Sequence, residues 1–218
     1  MEYGSMVGEA FAYAKEAVVG KWNKWVMLVI ATILLGLPLM GYILKVLRGE
    51  KPAPEVEDWG TLFIDGIKLM IVYLIWMIPV IIVYAILMAV GFAGVMSGDE
   101  TAAIAAMGTM MIGFLVVLIL AIIIGLFATI GVVRFARTGS IGEAFNFSAI
   151  LATIKKIGWV PYILALIVFV VCGIIFEIIA WILMMIPFLG IILVLCLIPP
   201  WTIFIARYFS QLYDSAGA

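Results

Sequence analysis

The stretch that determines the fold is residues 160–206, VPYILALIVFVVCGIIFEIIAWILMMIPFLGIILVLCLIPPWTIFIA, in which Glu177 is the only charged residue. A membrane-spanning helix needs about 20 apolar residues. These 47 residues are therefore too many for a single crossing. Proline and glycine together interrupt helices, so the sequence Ile186-Pro187-Phe188-Leu189-Gly190 predicts a turn between two antiparallel spans.

Three more uncharged runs are long enough to cross a membrane, at residues 25–44, 69–95 and 102–133. The chain is 67% hydrophobic and only 11% charged, whereas a soluble domain is about one quarter charged. The strict alternation of a membrane β-barrel is absent, and helices satisfy every backbone hydrogen bond within lipid. We therefore predict an all-α, polytopic integral membrane protein with four to five transmembrane helices.

The basic residues predict how the chain is threaded. All twelve can be placed on one side of a membrane, while the loop Ser97-Gly98-Asp99-Glu100 on the other side carries only acid. Short loops rich in Lys and Arg remain in the cytoplasm. We predict a multi-pass protein of the plasma membrane with a cytoplasmic C-terminus. The basic residues are Lys15, Lys21, Lys24, Lys45, Arg48, Lys51, Lys68, Arg134, Arg137, Lys155, Lys156 and Arg207.

The first apolar run has basic residues on both flanks, which conflicts with a simple crossing. Gly36-Leu37-Pro38 lies midway along residues 25–47 and can form the tip of a re-entrant hairpin. Re-entrant segments are tolerated where they are buried in protein. The alternative is an ordinary span that is kinked at Pro38, with the N-terminus outside. The charge pattern favours the re-entrant form.

An internal repeat accompanies the hairpins. Gly8-Glu9-Ala10-Phe11 recurs as Gly142-Glu143-Ala144-Phe145. We predict a single membrane domain, 1–218, with approximate units 1–50, 56–137 and 138–213. Each unit has an amphipathic helix followed by a helical hairpin. Such helices, at residues 5–19 and 140–157, suit the cytoplasmic interface of a membrane, and Ser140 with Glu143 fits a capping box.

Two sequence blocks resemble a known family. They are Asp58-Trp59-Gly60-x-Leu62-Phe63-x-Asp65-Gly66-x-Lys68 and Arg134-Phe135-Ala136-Arg137-Thr138-Gly139. On these blocks the chain resembles the domain of unknown function 4013, DUF4013. The resemblance implies a small multi-pass membrane protein, mostly archaeal, with no assigned activity. It transfers no catalytic residue to this chain.

Glu177 is the first candidate for a functional residue. A charge at mid-membrane costs at least about 2.5 kcal/mol on insertion scales, so an intramembrane carboxylate suggests an ion or proton site. The structural alternative is a protonated or hydrogen-bonded Glu near the outer end of its helix.

Six residues of the family-like blocks form a second candidate, a cytoplasmic patch for a protein partner or a lipid. The alternatives are structural, since Asp58 can cap a helix and Asp65 with Lys68 can pair at i,i+3. The two arginines can equally be topology signals. The six residues are Asp58, Trp59, Asp65, Lys68, Arg134 and Arg137.

Nothing in the sequence indicates catalysis. The chain has no His, and we find no HExxH, CxxC, GxSxG or Walker loop. We predict a non-enzymatic protein without cofactor, metal or nucleic acid, most simply an accessory or scaffold subunit of a membrane complex. It would contact membrane lipids and either a protein partner or further copies of itself. The alternative is a small transporter, channel or lipid-handling protein, since internal repeats are common in transporters.

Overall fold

The computed structural model describes residues 2–217, and within them the chain is helical with no strand. Among these described residues, four helices are long and apolar enough to cross a membrane. The all-α, multi-pass architecture is therefore confirmed. The helices are α1 (Tyr3–Val18), α2 (Trp22–Ile33), α3 (Leu37–Leu47), α4 (Trp59–Met96), α5 (Glu100–Thr138), a 3-10 helix (Ile141–Phe145), α6 (Phe147–Ile157), α7 (Trp159–Met184) and α8 (Leu189–Asp214).

The helices form two compact units. The first, which we call the charged unit, comprises the described residues of Met1–Met70 and Ile130–Ala218. The second, the apolar hairpin, is Ile71–Thr129. The order of elements, with a helix before each of the hairpins α2–α3 and α7–α8, agrees with the repeat pattern. The predicted division into units 1–50, 56–137 and 138–213 stays a prediction.

The first apolar run forms two short helices rather than one long one. Leu35 and Gly36 have φ angles of 57° and 69°, and this left-handed turn separates α2 from α3. With 12 and 11 residues, the helices are about 18 and 16 Å long. The hydrocarbon core of a bilayer is about 30 Å thick. Neither helix alone can cross it, which favours the re-entrant form.

The turn between α7 and α8 lies where proline and glycine predicted it. Phe188 has a φ of 61°, and α8 begins at Leu189. A Cβ atom on Gly190 would lie 2.3 Å from the carbonyl oxygen of Leu183. Glycine therefore allows the chain to fold back tightly against the end of α7.

Helices α3 and α4 touch through their backbones. A Cβ atom on Gly41 would lie 2.0 Å from the carbonyl oxygen of Leu62, and one on Gly66 would lie 1.8 Å from that of Leu37. Both distances are far below van der Waals contact, so only glycine fits at either position. This crossing fixes the short hairpin against the start of α4.

The core of the charged unit is built on α8. Tyr208 on this helix is fully buried and donates a hydrogen bond of 2.8 Å to the carbonyl of Ala165 on α7. Helix α1 packs along α8, with Ala10 and Ala17 fully buried. Trp25 on α2 donates to the carbonyl of Cys196 at 2.8 Å. Helix α8 thus organises the helices of both repeat copies.

The predicted amphipathic helix at 140–157 is interrupted. A 3-10 helix covers Ile141–Phe145, and α6 begins only after Asn146, whose side chain accepts a hydrogen bond from the amide of Ala149 at 3.1 Å. Ser140 makes no side-chain cap. The predicted capping box is wrong because Glu143 turns instead to Arg134 and Asn146.

The apolar hairpin is held by small residues. A Cβ atom on Gly94 would lie 2.2 Å from the Cβ of Ala106, and one on Gly113 would lie 2.1 Å from a methyl carbon of Leu87. Small residues permit such close helix packing within lipid. A Cβ on Gly125 would meet nothing within 4 Å, so this glycine is not part of a close packing contact.

Candidate functional site

Arg137 joins three helices at the charged ends of the spans. Its Nε donates to the carbonyl of Leu47 at the end of α3, at 2.9 Å. A terminal nitrogen donates to the Ser210 hydroxyl at 2.9 Å and to the Asp214 carboxylate at 2.6 Å. The guanidinium also lies 5.8 Å from the centre of the Tyr213 ring. Arg137 therefore links the ends of α3, α5 and α8.

Asp65 is held by two cations inside the charged unit. Arg48 donates to its carboxylate at 2.9 Å and Lys68 at 3.1 Å. Asp65 is only 7% exposed. Arg48 also donates to the carbonyl of Ala136 at 3.3 Å, which connects α3, α4 and α5. The geometry corresponds to the structural alternative for Asp65 and Lys68, and it adds Arg48, which the sequence had suggested only as a topology signal.

Arg134 pairs with Glu143 of the 3-10 helix. The same carboxylate accepts a hydrogen bond of 3.1 Å from the Asn146 amide. The hydrogen bond from Arg134, followed by that from Asn146, holds the pKa of Glu143 below its ordinary value. This pair fixes the segment after α5 against the end of that helix.

Asp58 and Trp59 lie apart from these pairs, at the start of α4. Asp58 is exposed, has a φ of 53°, and accepts the amide of Leu62 at 3.0 Å through its backbone carbonyl. Trp59 is half-buried. The six predicted patch residues are thus not one free surface, because four of them already bind other groups of this chain.

A further ion pair, which the sequence analysis missed, joins the first and last helices. Arg207 on α8 is only 3% exposed and donates to Glu9 on α1 at 2.5 Å. Its guanidinium lies 5.2 Å from the centre of the Tyr13 ring. Lys51 donates to the same carboxylate at 2.7 Å. Hydrogen bonds from Lys51 and Arg207 lower the pKa of Glu9.

The repeated tetrapeptide explains both arginine–glutamate pairs. Glu9 and Glu143 are equivalent residues of the two Gly-Glu-Ala-Phe copies, and each binds an arginine near the end of a span, Arg207 on α8 and Arg134 on α5. The following alanines, Ala10 and Ala144, are both fully buried. The repeat therefore marks the glutamate of an arginine–glutamate ion pair in each copy. It was the sequence signal from which the pairing of Arg207 with Glu9 could have been predicted.

Glu177 lies on an exposed face of α7, remote from the arginine pairs in sequence. It lines a shallow groove together with apolar neighbours such as Gly173, Ile174, Ile178 and Trp181. The residues along this groove belong to α7, except Met185, which directly follows it. Among residues 2–217, no ion pair or hydrogen bond to its carboxylate is found.

The described residues offer little for binding a metal. Within residues 2–217, no group of three or more His, Cys, Asp or Glu side chains is placed to hold a metal ion. Cys172 and Cys196 are free thiols. The arrangement of the charged ends is instead that of ion pairs between helices.

Residues 25–185, which are most of the chain, match the family model described as "Protein of unknown function (DUF4013)". The chain belongs to the DUF4013 family. The match includes the crossing of α3 on α4, the Asp65 and Arg134 pairs and the Glu177 face of this DUF4013 protein. No curated protein and no solved structure is significantly similar to it.

Proposed function

We propose that this DUF4013 protein is a non-enzymatic accessory or scaffold subunit of a membrane complex. It would lie in the plasma membrane, with the C-terminus and the charged ends of its helices in the cytoplasm. The observation that carries the proposal is the outward face of α7, where Glu177 stands among exposed apolar side chains.

A carboxylate on an apolar helix face needs a donor within the membrane. Ionisable residues in spans are expensive and usually pair with another group. Glu177 is about 27 Å along α7 from Trp159 at 1.5 Å per residue, which places it just inside the outer edge of a hydrocarbon core about 30 Å thick. A partner helix in the groove would supply the missing hydrogen-bond donor and cover the apolar neighbours.

The partner is a different protein rather than a second copy of this one. The apolar runs 69–95, 102–133 and 160–206 contain no Lys, Arg or His. A second copy therefore has no cation at the depth of Glu177. Gly173, one turn away, has open space at the position of a Cβ atom, which permits a close helix approach. We infer a partner span that carries a Lys or Arg.

The ion pairs at the charged ends support a static, scaffold-like role. Arg137, Arg48 and Arg207 each connect two or more helices of this chain. Side chains engaged in this way hold the helices in position. The chain's own fold is thereby set independently of the partner.

Photo-crosslinking at the α7 face tests the proposal. A crosslinking residue at Ile174 lies on the Glu177 side, and one at Ile179, which is 45% exposed, lies on the opposite side as a matched control. We expect a protein adduct from position 174 only, lost in Glu177→Gln. Exchange of charges, with Glu177→Lys and the partner's cation changed to Glu, should restore it. Adducts with lipid alone, with this chain alone, or equally from both positions would refute the proposal.

A lipid-handling role is a second candidate. It is supported by a cavity of about 670 Å³ between the start of α2 and the loop before α4. Transfer of a fluorescent phospholipid between vesicles measures it. A scaffold leaves the transfer rate at the level of protein-free vesicles, whereas a lipid-handling protein raises it.

A further inference from the structure

We infer that the cavity at the start of α2 binds the headgroup of a zwitterionic phospholipid, one that carries both a phosphate and an ammonium group. The inference does not depend on the proposed partner at α7. The cavity lies within the charged unit, and its charged and polar lining residues are Lys21, Asn23, Lys24, Glu55 and Glu57.

The charges of the lining match a zwitterion. Two lysines and two glutamates give the cavity no net charge. A headgroup with only negative charge would meet Glu55 and Glu57, and a simple cation would meet Lys21 and Lys24. A zwitterionic headgroup can pair its phosphate with Lys21 and Asn23 and its ammonium with Glu57, so that both kinds of charge in the lining have a partner.

The wall of the cavity is preformed. Three side chains hold the carbonyls of the loop before α4: Tyr13 donates to Glu50 at 2.8 Å, Tyr42 to Pro54 at 2.9 Å and Lys24 to Ala53 at 3.1 Å. Burial raises the pKa of Tyr13 to about 12, so Tyr13 remains a donor at neutral pH. A preformed wall lowers the entropic cost of binding.

Lys24 forms the floor of the cavity. It is only 5% exposed, contacts Glu55 at 3.3 Å, and lies 5.9 Å from the centre of the Tyr42 ring. Glu55 itself is 58% exposed. Glu57 is also exposed, so its carboxylate faces solvent or a ligand.

An apolar stripe leads away from the cavity along α2. The stripe consists of four exposed side chains at helical spacing: Trp22 (67%), Val26 (57%), Ile30 (45%) and Ile33 (63%). From Trp22 to Ile33 the stripe is about 16 Å long, close to half the 30 Å hydrocarbon core. It ends at the turn of the short hairpin, where Leu35 is 86% exposed. An acyl chain fits this length from the headgroup to the bilayer centre.

The indole rings place the cavity at the headgroup level. Trp22 stacks on Trp25 with ring centres 5.5 Å apart, and tryptophan is enriched at membrane–water interfaces. The cavity, the indoles and the stripe therefore follow the order of headgroup, interface and acyl chain in one leaflet.

Competition between two lipids tests the inference. The purified full-length protein is equilibrated with equal amounts of phosphatidylethanolamine and phosphatidylglycerol of the same acyl chains, and retained lipid is measured by native mass spectrometry. We expect one phosphatidylethanolamine per chain in preference to phosphatidylglycerol. Equal retention of the two lipids, or a preference for phosphatidylglycerol, would overturn the inference.

Substitutions in the cavity sharpen this test. Glu57→Gln should raise the ratio of phosphatidylglycerol to phosphatidylethanolamine about fivefold, since one charge near a lipid surface contributes about 1 kcal/mol. Lys21→Gln should lower retention of both lipids. Glu2→Gln, an exposed glutamate of the same unit outside the cavity lining and its wall, is the matched control and should change neither. An unchanged ratio in Glu57→Gln would contradict the zwitterion site, while the gain of phosphatidylglycerol cannot result from misfolding.

Discussion

The charged unit and the apolar hairpin are built in different ways. In the charged unit, six of the seven ion pairs among the described residues connect a helix with another helix or with a segment between helices, and the seventh, Lys68–Asp65, lies within α4. In the apolar hairpin the only charges are Asp99 and Glu100, and α4 meets α5 through glycine and alanine. Long-range contacts in the first unit are thus specified by charge and by the glycine crossing of α3 on α4, whereas those in the second are specified by the absence of side-chain volume alone.

The largest effect is expected at the glycine crossing of α3 on α4 in the charged unit, where a backbone carbonyl occupies the space of any side chain. Gly66→Ala places a Cβ atom onto the carbonyl of Leu37, and backbone cannot yield as a side chain does. We expect a loss of about 3 kcal/mol or more in unfolding free energy, measured by thermal unfolding in detergent. Gly60→Ala, on the same helix with open space at its Cβ, is the control. Equal stability of Gly66→Ala and Gly60→Ala would show that the crossing of α3 on α4 does not require glycine at position 66.

The next largest effect concerns the ion pairs. Arg207→Gln removes a buried cation that binds Glu9, and we expect a loss of about 2 kcal/mol. Lys51→Gln removes the exposed cation on the same carboxylate and should cost about 0.5 kcal/mol. Thermal unfolding in detergent measures the loss of unfolding free energy in both variants. A lower unfolding free energy for Lys51→Gln than for Arg207→Gln would show that burial does not make the Arg207 ion pair the more stabilising of the two.

A smaller effect is expected in the apolar hairpin. Gly94→Ala brings two Cβ atoms into overlap at Ala106, yet the two helices can separate slightly, so we expect a loss of about 1 kcal/mol. Gly108→Ala meets open space and should cause no loss. Hydrogen exchange of the amides at 87–113 measures this locally. Faster exchange in Gly108→Ala but not in Gly94→Ala would contradict the prediction that α4 packs on α5 at Gly94.

The smallest effect is the response to pH. The lowered pKa of Glu9 means that the fold favours its ionised form, so this stabilisation is complete above the ordinary value of 4.5 and is lost as the pH falls from there through the folded pKa. Between pH 7 and pH 3.5, the wild-type protein should lose more stability than Glu9→Gln. A parallel decline of the two proteins would show that Glu9 is not linked to folding.

The sequence predicted the features that depend on neighbouring residues. The uncharged runs gave the spans, Pro187 and Gly190 gave the turn before α8, and Gly36 gave the break between α2 and α3. Each of these signals acts within a few residues through backbone geometry or through the thickness of a bilayer.

The sequence did not predict contacts between distant residues. Glu9 and Arg207 are 198 positions apart, and no local pattern fixes which cation meets which acid. Ser140 and Glu143 matched a capping box, but Arg134 offered the carboxylate a stronger, charge-assisted hydrogen bond. The Gly-Glu-Ala-Phe repeat was the one long-range signal, because it placed a glutamate in the same position of two copies.

The central claim is that the charged ends of the helices face the cytoplasm and that the short hairpin α2–α3 does not cross the membrane. Thiol labelling tests this claim most directly. Single cysteines at Lys15, Glu50 and Asp99, in a Cys172→Ala, Cys196→Ala background, are treated with an impermeant maleimide. We predict labelling of position 99 in intact cells, and of positions 15 and 50 only after permeabilisation. Labelling of positions 15 and 50 from opposite sides would contradict the re-entrant hairpin and the account built on it.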